Sequence, residues 1–139
     1  MKPYFLTSDI NVICVTASSF PEGIKDAYHR LSSLIGATGT RKFFGISYGD
    51  GDKNIIYKAA AEETSECEAA KLGCERFTIQ KGEYISEYIA DFMKHIPAMG
   101  ESFREMCRDP RIDSNGYCVE MYLDNGDVIC MVKLDPAKM

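Results

Sequence analysis

The strongest constraint on this chain is the run from Tyr117 to Leu134, YCVEMYLDNGDVICMVKL, where Asn125-Gly126 divides two stretches of β-forming residues. Asn-Gly suits the central positions of a type I′ turn, both of which need positive φ, so the run predicts a β-hairpin with a two-residue loop. Such a loop would set Asp124 opposite Asp127, Tyr122 opposite Ile129, Glu120 opposite Met131 and Val119 opposite Val132. Alternation then predicts a core-directed face of Val119, Met121, Leu123, Val128, Cys130 and Val132. The other face would carry Cys118, Glu120, Tyr122, Ile129, Met131 and Lys133. A carboxylate set between a phenol and large apolar groups is an unusual composition for a solvated strand face, and it singles out Glu120.

A chain of 139 residues predicts one domain over 1–139, large enough to need no disulfide or metal staple. Its six cysteines lack tight pair spacing. There is no secretory h-region and no apolar run near the ~18 residues of a membrane span, which points to a reducing cytoplasm and no membrane contact. Cys67 and Cys74 have neither a CxxC partner nor a nearby histidine, so neither metal nor cofactor is expected. A net charge of −5 and a pI near 5.0 argue against direct nucleic-acid binding and favour cationic ligands.

Met1 to Asp9 reads as a leader or an extra edge strand. Asn11 to Ala17 is a strand, and Ser19-Phe20-Pro21-Glu22 resembles a helix start, with Ile24, Tyr28, Leu31 and Ile35 at helical spacing. Gly36 and Gly39 should end that helix. Lys42 to Tyr48 and Asn54 to Ala61 predict a second hairpin, with Phe44, Ile46 and Tyr48 on one face. Glu62 to Gly73 is a connection with one helical turn. Arg76 to Gln80 and Tyr84 to Ala90, about a Lys81-Gly82 turn signal, read as two short strands or one bent strand, with Tyr84, Ser86, Tyr88 and Ala90 sharing a face. Pro97 opens a helix with an apolar stripe of Met99, Phe103, Met106 and Cys107, which Asp109-Pro110 ends.

Strand, helix and hairpin thus occur twice, and Phe44 to Lys58 can be laid over Cys118 to Lys133 so that Tyr48 falls on Tyr122. The predicted fold is α+β: duplicated β-α-β-β repeats forming a mostly antiparallel sheet, two helices on one face and a ligand cleft on the other.

In order and spacing, SSFPEGIKDAYHRL, FFGISY, KGEYISEYI, FREMCRDPRI and VEMY resemble the GyrI-like effector-binding domains, which also form the ligand-sensing half of some AraC-type and MerR-type transcription regulators. The resemblance covers nearly the whole chain. It implies a central cleft in which an acid ringed by aromatics receives bulky, often cationic organic molecules. The cleft glutamate corresponds to Glu120, the tyrosine after it to Tyr122, the first-repeat tyrosine to Tyr48 and the one after the central turn to Tyr84. Ile46, Phe44, Tyr88 and Met131 complete the expected lining. Two departures stand out: Leu123-Asp124-Asn125 replaces the family's usual proline after VEMY, and the chain has no tryptophan.

The function this implies is capture of bulky, amphipathic, cationic compounds, a multidrug-binding activity serving either transcription regulation or sequestration. One alternative is a hydrolase of reactive xenobiotics, with Glu120 as general base and Tyr122 or Tyr48 as electrophilic partner. Another is a protein-interaction module such as a gyrase inhibitor. No GxSxG, HExxH, SxxK or glycine-rich phosphate loop occurs, so no catalytic residue is assigned beyond that alternative. The partner expected is a small hydrophobic cation; a protein partner and a homodimer both remain open.

Overall fold

The computed structural model describes residues 1–36, 41–52 and 54–139; Gly39, expected near the end of the first helix, lies outside the described residues. In chain order the elements are β1 (Lys2–Leu6), β2 (Ile10–Thr16), α1 (Ile24–Ile35), β3 (Phe43–Gly49), β4 (Ile55–Glu62) and α2 (Glu68–Leu72). They continue with β5 (Glu75–Ile79), β6 (Gly82–Ile89), α3 (Ile96–Met106), β7 (Cys118–Tyr122) and β8 (Val128–Lys133). The architecture is α+β and duplicated, with β2-α1-β3-β4 and β6-α3-β7-β8 as the two repeats. The chain divides into two compact units, Asp9–Ile79 on the one hand and Met1–Ser8 with Gln80–Met139 on the other.

In the unit Asp9–Ile79 the antiparallel strand order is β3-β4-β2-β5. The apolar stripe of α1 covers the face bearing Ile13, Val15, Ala59 and Ala61, with Ala27 and Leu31 buried at the contact. Full burial of a leucine such as Leu31 contributes about 1.5–3 kcal/mol. The helix begins at Ile24 and not at Ser19, because residues 19 to 23 are used in a turn: the Gly23 N–H donates to the Ser19 carbonyl at 3.1 Å. A Cβ on Gly23 would lie 2.8 Å from the Ser19 backbone, so this close approach requires glycine. The short α2 is too small to hold itself. It is fixed by Glu68, whose two carboxylate oxygens accept from Arg41 Nη1 and Nη2 at 2.8 Å each and from the Thr64 N–H at 2.9 Å.

In the other unit the order is β1-β6-β8-β7, with β1 as the edge strand. Gly82, expected in a turn, is the first residue of β6; β5 joins β2, and β6 joins β1 and β8. Helix α3 packs through Met99 and Met106 on the face of Ile89, Val128, Cys130 and Val132. Cys107, expected on that stripe, is exposed at the helix end, and Ser102 is buried instead. The opposite sheet face is not left bare: Tyr84, Val119 and Met131 are all fully buried. Its open part is a cavity of about 630 Å³ near β1, lined by Lys2, Tyr4, Ser86, Tyr88 and Ile129 among others.

The last hairpin departs from expectation by one residue. Glu120 pairs with Cys130, Met121 with Ile129 and Tyr122 with Val128. The Leu123 N–H donates to the Asp127 carbonyl at 3.0 Å, and the Gly126 N–H donates to the Leu123 carbonyl at 3.3 Å, closing a three-residue loop. Gly126 has φ +89°, so the loop is a turn followed by a left-handed glycine bulge and not a two-residue type I′ turn. The slip moves Met131 and Ile129 to the face of Val119 and Met121, and brings Glu120 and Tyr122 onto the face that α3 covers. Gly126→Val is expected to destabilise the protein by about 1–2 kcal/mol, because a β-branched residue there must adopt positive φ. Chemical denaturation would read this as a lower midpoint at unchanged m.

Candidate functional site

On the α3-bearing face, Glu120 of β7 pairs with Cys130 of β8, and Cys130 pairs with Glu87 of β6. Two half-buried acids therefore flank one buried thiol across three strands. Tyr122, two residues beyond Glu120 and so on the same face, donates its hydroxyl to Glu120 Oε1 at 2.6 Å. Ser102 of α3 donates to Glu87 Oε1 at 2.8 Å. Burial, together with the charges of Glu120 and Glu87, pushes the Cys130 thiol up to about 12. Negative potential concentrated on a partly dehydrated, largely apolar surface is weakly screened and attracts cations.

The aromatic wall is built by the same loop that shifted the register. The Gly126 carbonyl accepts from the Phe92 N–H at 3.1 Å. That bond holds the Phe92 ring against Tyr122, with centroids 5.1 Å apart and planes at 52°. Asp127 fixes the preceding residue, accepting from the Asp91 N–H at 2.9 Å and also from the Tyr88 hydroxyl. A connected path thus runs from the glycine bulge through Phe92 and Tyr122 to the carboxylate.

The other expected residues lie elsewhere. Tyr84, Tyr88 and Met131 are on the face of their sheet opposite α3. Tyr84 is fully buried, and its hydroxyl donates to the Gln80 carbonyl at 2.6 Å and meets the Tyr117 hydroxyl at 3.0 Å. Tyr88 is 53 % exposed and lines the cavity near β1. In the unit Asp9–Ile79, Phe44 and Ile46 are fully buried, and with half-buried Tyr48 they occupy the face opposite α1. That face already holds a cation: Lys58 Nζ donates to Glu75 Oε1 at 2.8 Å and Thr16 Oγ1 at 2.9 Å.

Comparison of the repeats corrects their alignment. Val15 pairs with Ala59 and Ala59 with Gly45 in one; Glu87 pairs with Cys130 and Cys130 with Glu120 in the other. Phe20 and Phe92, then Ile24 and Ile96 at the helix starts, follow at matching intervals. Glu120 therefore corresponds to Gly45 and Tyr122 to Ser47, so Tyr48 is not the counterpart of Tyr122. Glu87, Phe92 and Ser102 were missed from sequence. Glu87 had a readable signal, since it is an acid set between Ile85 and Ile89 on one strand face. Among the described residues no group of three His, Cys, Asp or Glu side chains could hold a metal ion, and no helix is long and apolar enough to cross a membrane.

The fold defined by these repeats is the GyrI-like fold. Similar solved structures include SAV2435 bound to tetraphenylphosphonium, at 9 % identity with a TM-score of 0.70, covering 99 % of this chain and 96 % of that one. A hydrolase from Listeria innocua matches at 13 % identity and a TM-score of 0.60, covering 96 % of this chain and 90 % of its own. A candidate transcription regulation protein from Staphylococcus aureus MU50 matches at 11 % identity and 0.59, covering 95 % and 97 %. At such identities the likeness establishes the fold alone. No protein-family model matches the sequence. No curated protein matches it either.

Proposed function

We propose that this chain binds bulky, delocalised organic cations, with Glu120 supplying the charge and Tyr122 and Phe92 the aromatic surface. The observation that carries this reading is the Glu120–Tyr122 pair: a half-buried carboxylate on an apolar sheet face, oriented by a phenol 2.6 Å away. A carboxylate in such a place is costly unless hydrogen bonds or a cation compensate it, and a cation with spread charge loses little hydration on entering. Each aromatic face in contact with the ligand adds about 0.5–2 kcal/mol of cation–π attraction. Glu87 adds a second negative group on the same face without competing for the Tyr122 hydroxyl. The binding of tetraphenylphosphonium by SAV2435, which shares the fold, supports the same ligand class. Such binding would serve to sense or sequester these compounds, and a role in transcription regulation accords with the likeness to the Staphylococcus aureus protein.

Calorimetric titration with tetraphenylphosphonium and with triphenylphosphine oxide, a neutral molecule carrying three of the same rings, tests the charge requirement. The expected result is saturable binding of the cation, at least about tenfold tighter than the neutral compound and weakening as salt rises. Equal affinity for the two, or no saturable binding of either, would refute the reading.

A further inference from the structure

The sheet of the unit formed by Met1–Ser8 and Gln80–Met139 separates charge between its two faces. Glu83, Glu87 and Glu120 alternate onto the side that carries α3, where Ser102 holds the Glu87 carboxylate at 2.8 Å. On the opposite side, Lys2, Tyr4 and Leu6 of β1 stand in register with Ser86, Tyr84 and Gly82 of β6. Ser86, Tyr84 and Tyr88 stand in turn beside Met131, Lys133 and Ile129 of β8. These strands therefore set two lysines and no acid on that side. Lys133 is only 7 % exposed, and its Nζ donates to the Leu134 carbonyl at 3.4 Å. Among the described residues neither Lys2 nor Lys133 forms an ion pair. Positive charge that is buried without a counter-charge is weakly screened and attracts anions.

The cavity of about 630 Å³ opens on this lysine-bearing side, and its size suits a small organic molecule. Lys2 and Tyr4 bring to it an ammonium and a phenol that have no side-chain partner among the described residues. Ser86 Oγ donates to the Lys2 carbonyl at 2.9 Å and so fixes the start of β1 beside β6. The Tyr88 hydroxyl is engaged by Asp127, which leaves the ring as a wall beside Ile129 and Pro3. Asp127 itself is occupied by that hydroxyl and by the Asp91 N–H at 2.9 Å.

We propose that this cavity is a second small-molecule site, one that takes a planar aromatic carboxylate. The carboxylate meets Lys2 Nζ and the Tyr4 hydroxyl, the rings lie against Tyr88 and Ile129, and Lys133 adds attraction from the same side. Lys2 is exposed, so its charge tunes affinity modestly and the apolar body of the ligand supplies the larger part. The site lies across the sheet from Glu120 and takes the opposite charge, so it stands whether or not the acidic face binds cations.

The test uses the full chain, titrated calorimetrically with 2-naphthoate and with 2-naphthalenemethanol, a neutral molecule carrying the same rings. Saturable binding of one naphthoate per chain is expected, about fivefold tighter than the alcohol and weakening as salt rises. Lys2→Met keeps an unbranched stem and removes the charge; it should bring naphthoate to the affinity of the alcohol with the thermal melt unchanged. Amide shifts in a nitrogen–proton correlation spectrum of the natural chain locate the ligand without any variant, and should cluster at Lys2, Tyr4, Ser86, Tyr88 and Ile129. Equal affinity for the two molecules, no saturable binding of naphthoate, or shifts centred on α3 would overturn the proposal.

Discussion

Glu120→Gln is expected to weaken tetraphenylphosphonium binding by roughly 10- to 100-fold, about 1.4–2.8 kcal/mol. A full charge about 5 Å from the carboxylate at an effective dielectric near 20 would be worth roughly 3 kcal/mol, and the half-exposed position lowers that figure. Glutamine keeps the shape of the side chain, and its amide oxygen can still accept from the Tyr122 hydroxyl now 2.6 Å from Glu120. The loss should therefore appear in affinity and not in thermal stability. Calorimetric titration beside a thermal melt separates the two, and an unchanged Kd with an unchanged melt would remove the charge from the account of binding.

The second large effect concerns stability. Glu68 and Arg41 form a doubly bonded pair whose side chains are only 11 % and 6 % exposed. Arg41's hydrogen bonds, then the Thr64 N–H, hold the Glu68 carboxyl down to about 2 against burial, which acts the other way. Because the folded value lies below the ordinary value of 4.5, the stabilisation is fully present above pH 4.5. It is lost as pH falls toward and through about 2. Glu68→Gln should cost on the order of 2–3 kcal/mol at pH 7, since it leaves the Arg41 charge buried without its partner. Urea denaturation of both proteins from pH 7 to pH 2.5 should show their stability difference shrinking below about pH 4.5. A difference constant over that range would mean that the carboxylate's charge is not what holds α2.

Most of the duplicated frame could be read from residue patterns, because each helix shows its contact stripe and each strand its alternation. Ile24, Tyr28, Leu31 and Ile35 mark α1, and Met99 with Met106 marks α3. The register of the last hairpin could not be read in this way. Asn125-Gly126 satisfies both a two-residue loop and a three-residue loop ending in a left-handed glycine. Hydrophobic pattern usually settles such a choice, but here it had no contrast to work with. Val119 and Met131 are fully buried on one face, and Val128 and Cys130 on the other. A strand pair covered on both sides reads as apolar in either register. The placement of Glu120 followed that choice, so its importance was legible and its neighbours were not. Met131 was expected opposite it, whereas Cys130 and Glu87 are found. The start of α1 was misjudged for a different reason: Ser19 and Pro21 carry helix-start chemistry, yet the Gly23 amide is bonded back to Ser19.

Duplication has left the two copies chemically unequal. Where one repeat carries Glu87 and Glu120, the other has Val15 and Gly45, and its helix rests directly on valine, isoleucine and alanine. A pair of identical halves would offer two equivalent berths. On the function proposed above only one repeat carries the acids, so saturation should come at a single cation per polypeptide. One repeat seats its helix on a plain hydrophobic face, while the other sets acids and a thiol beneath its helix.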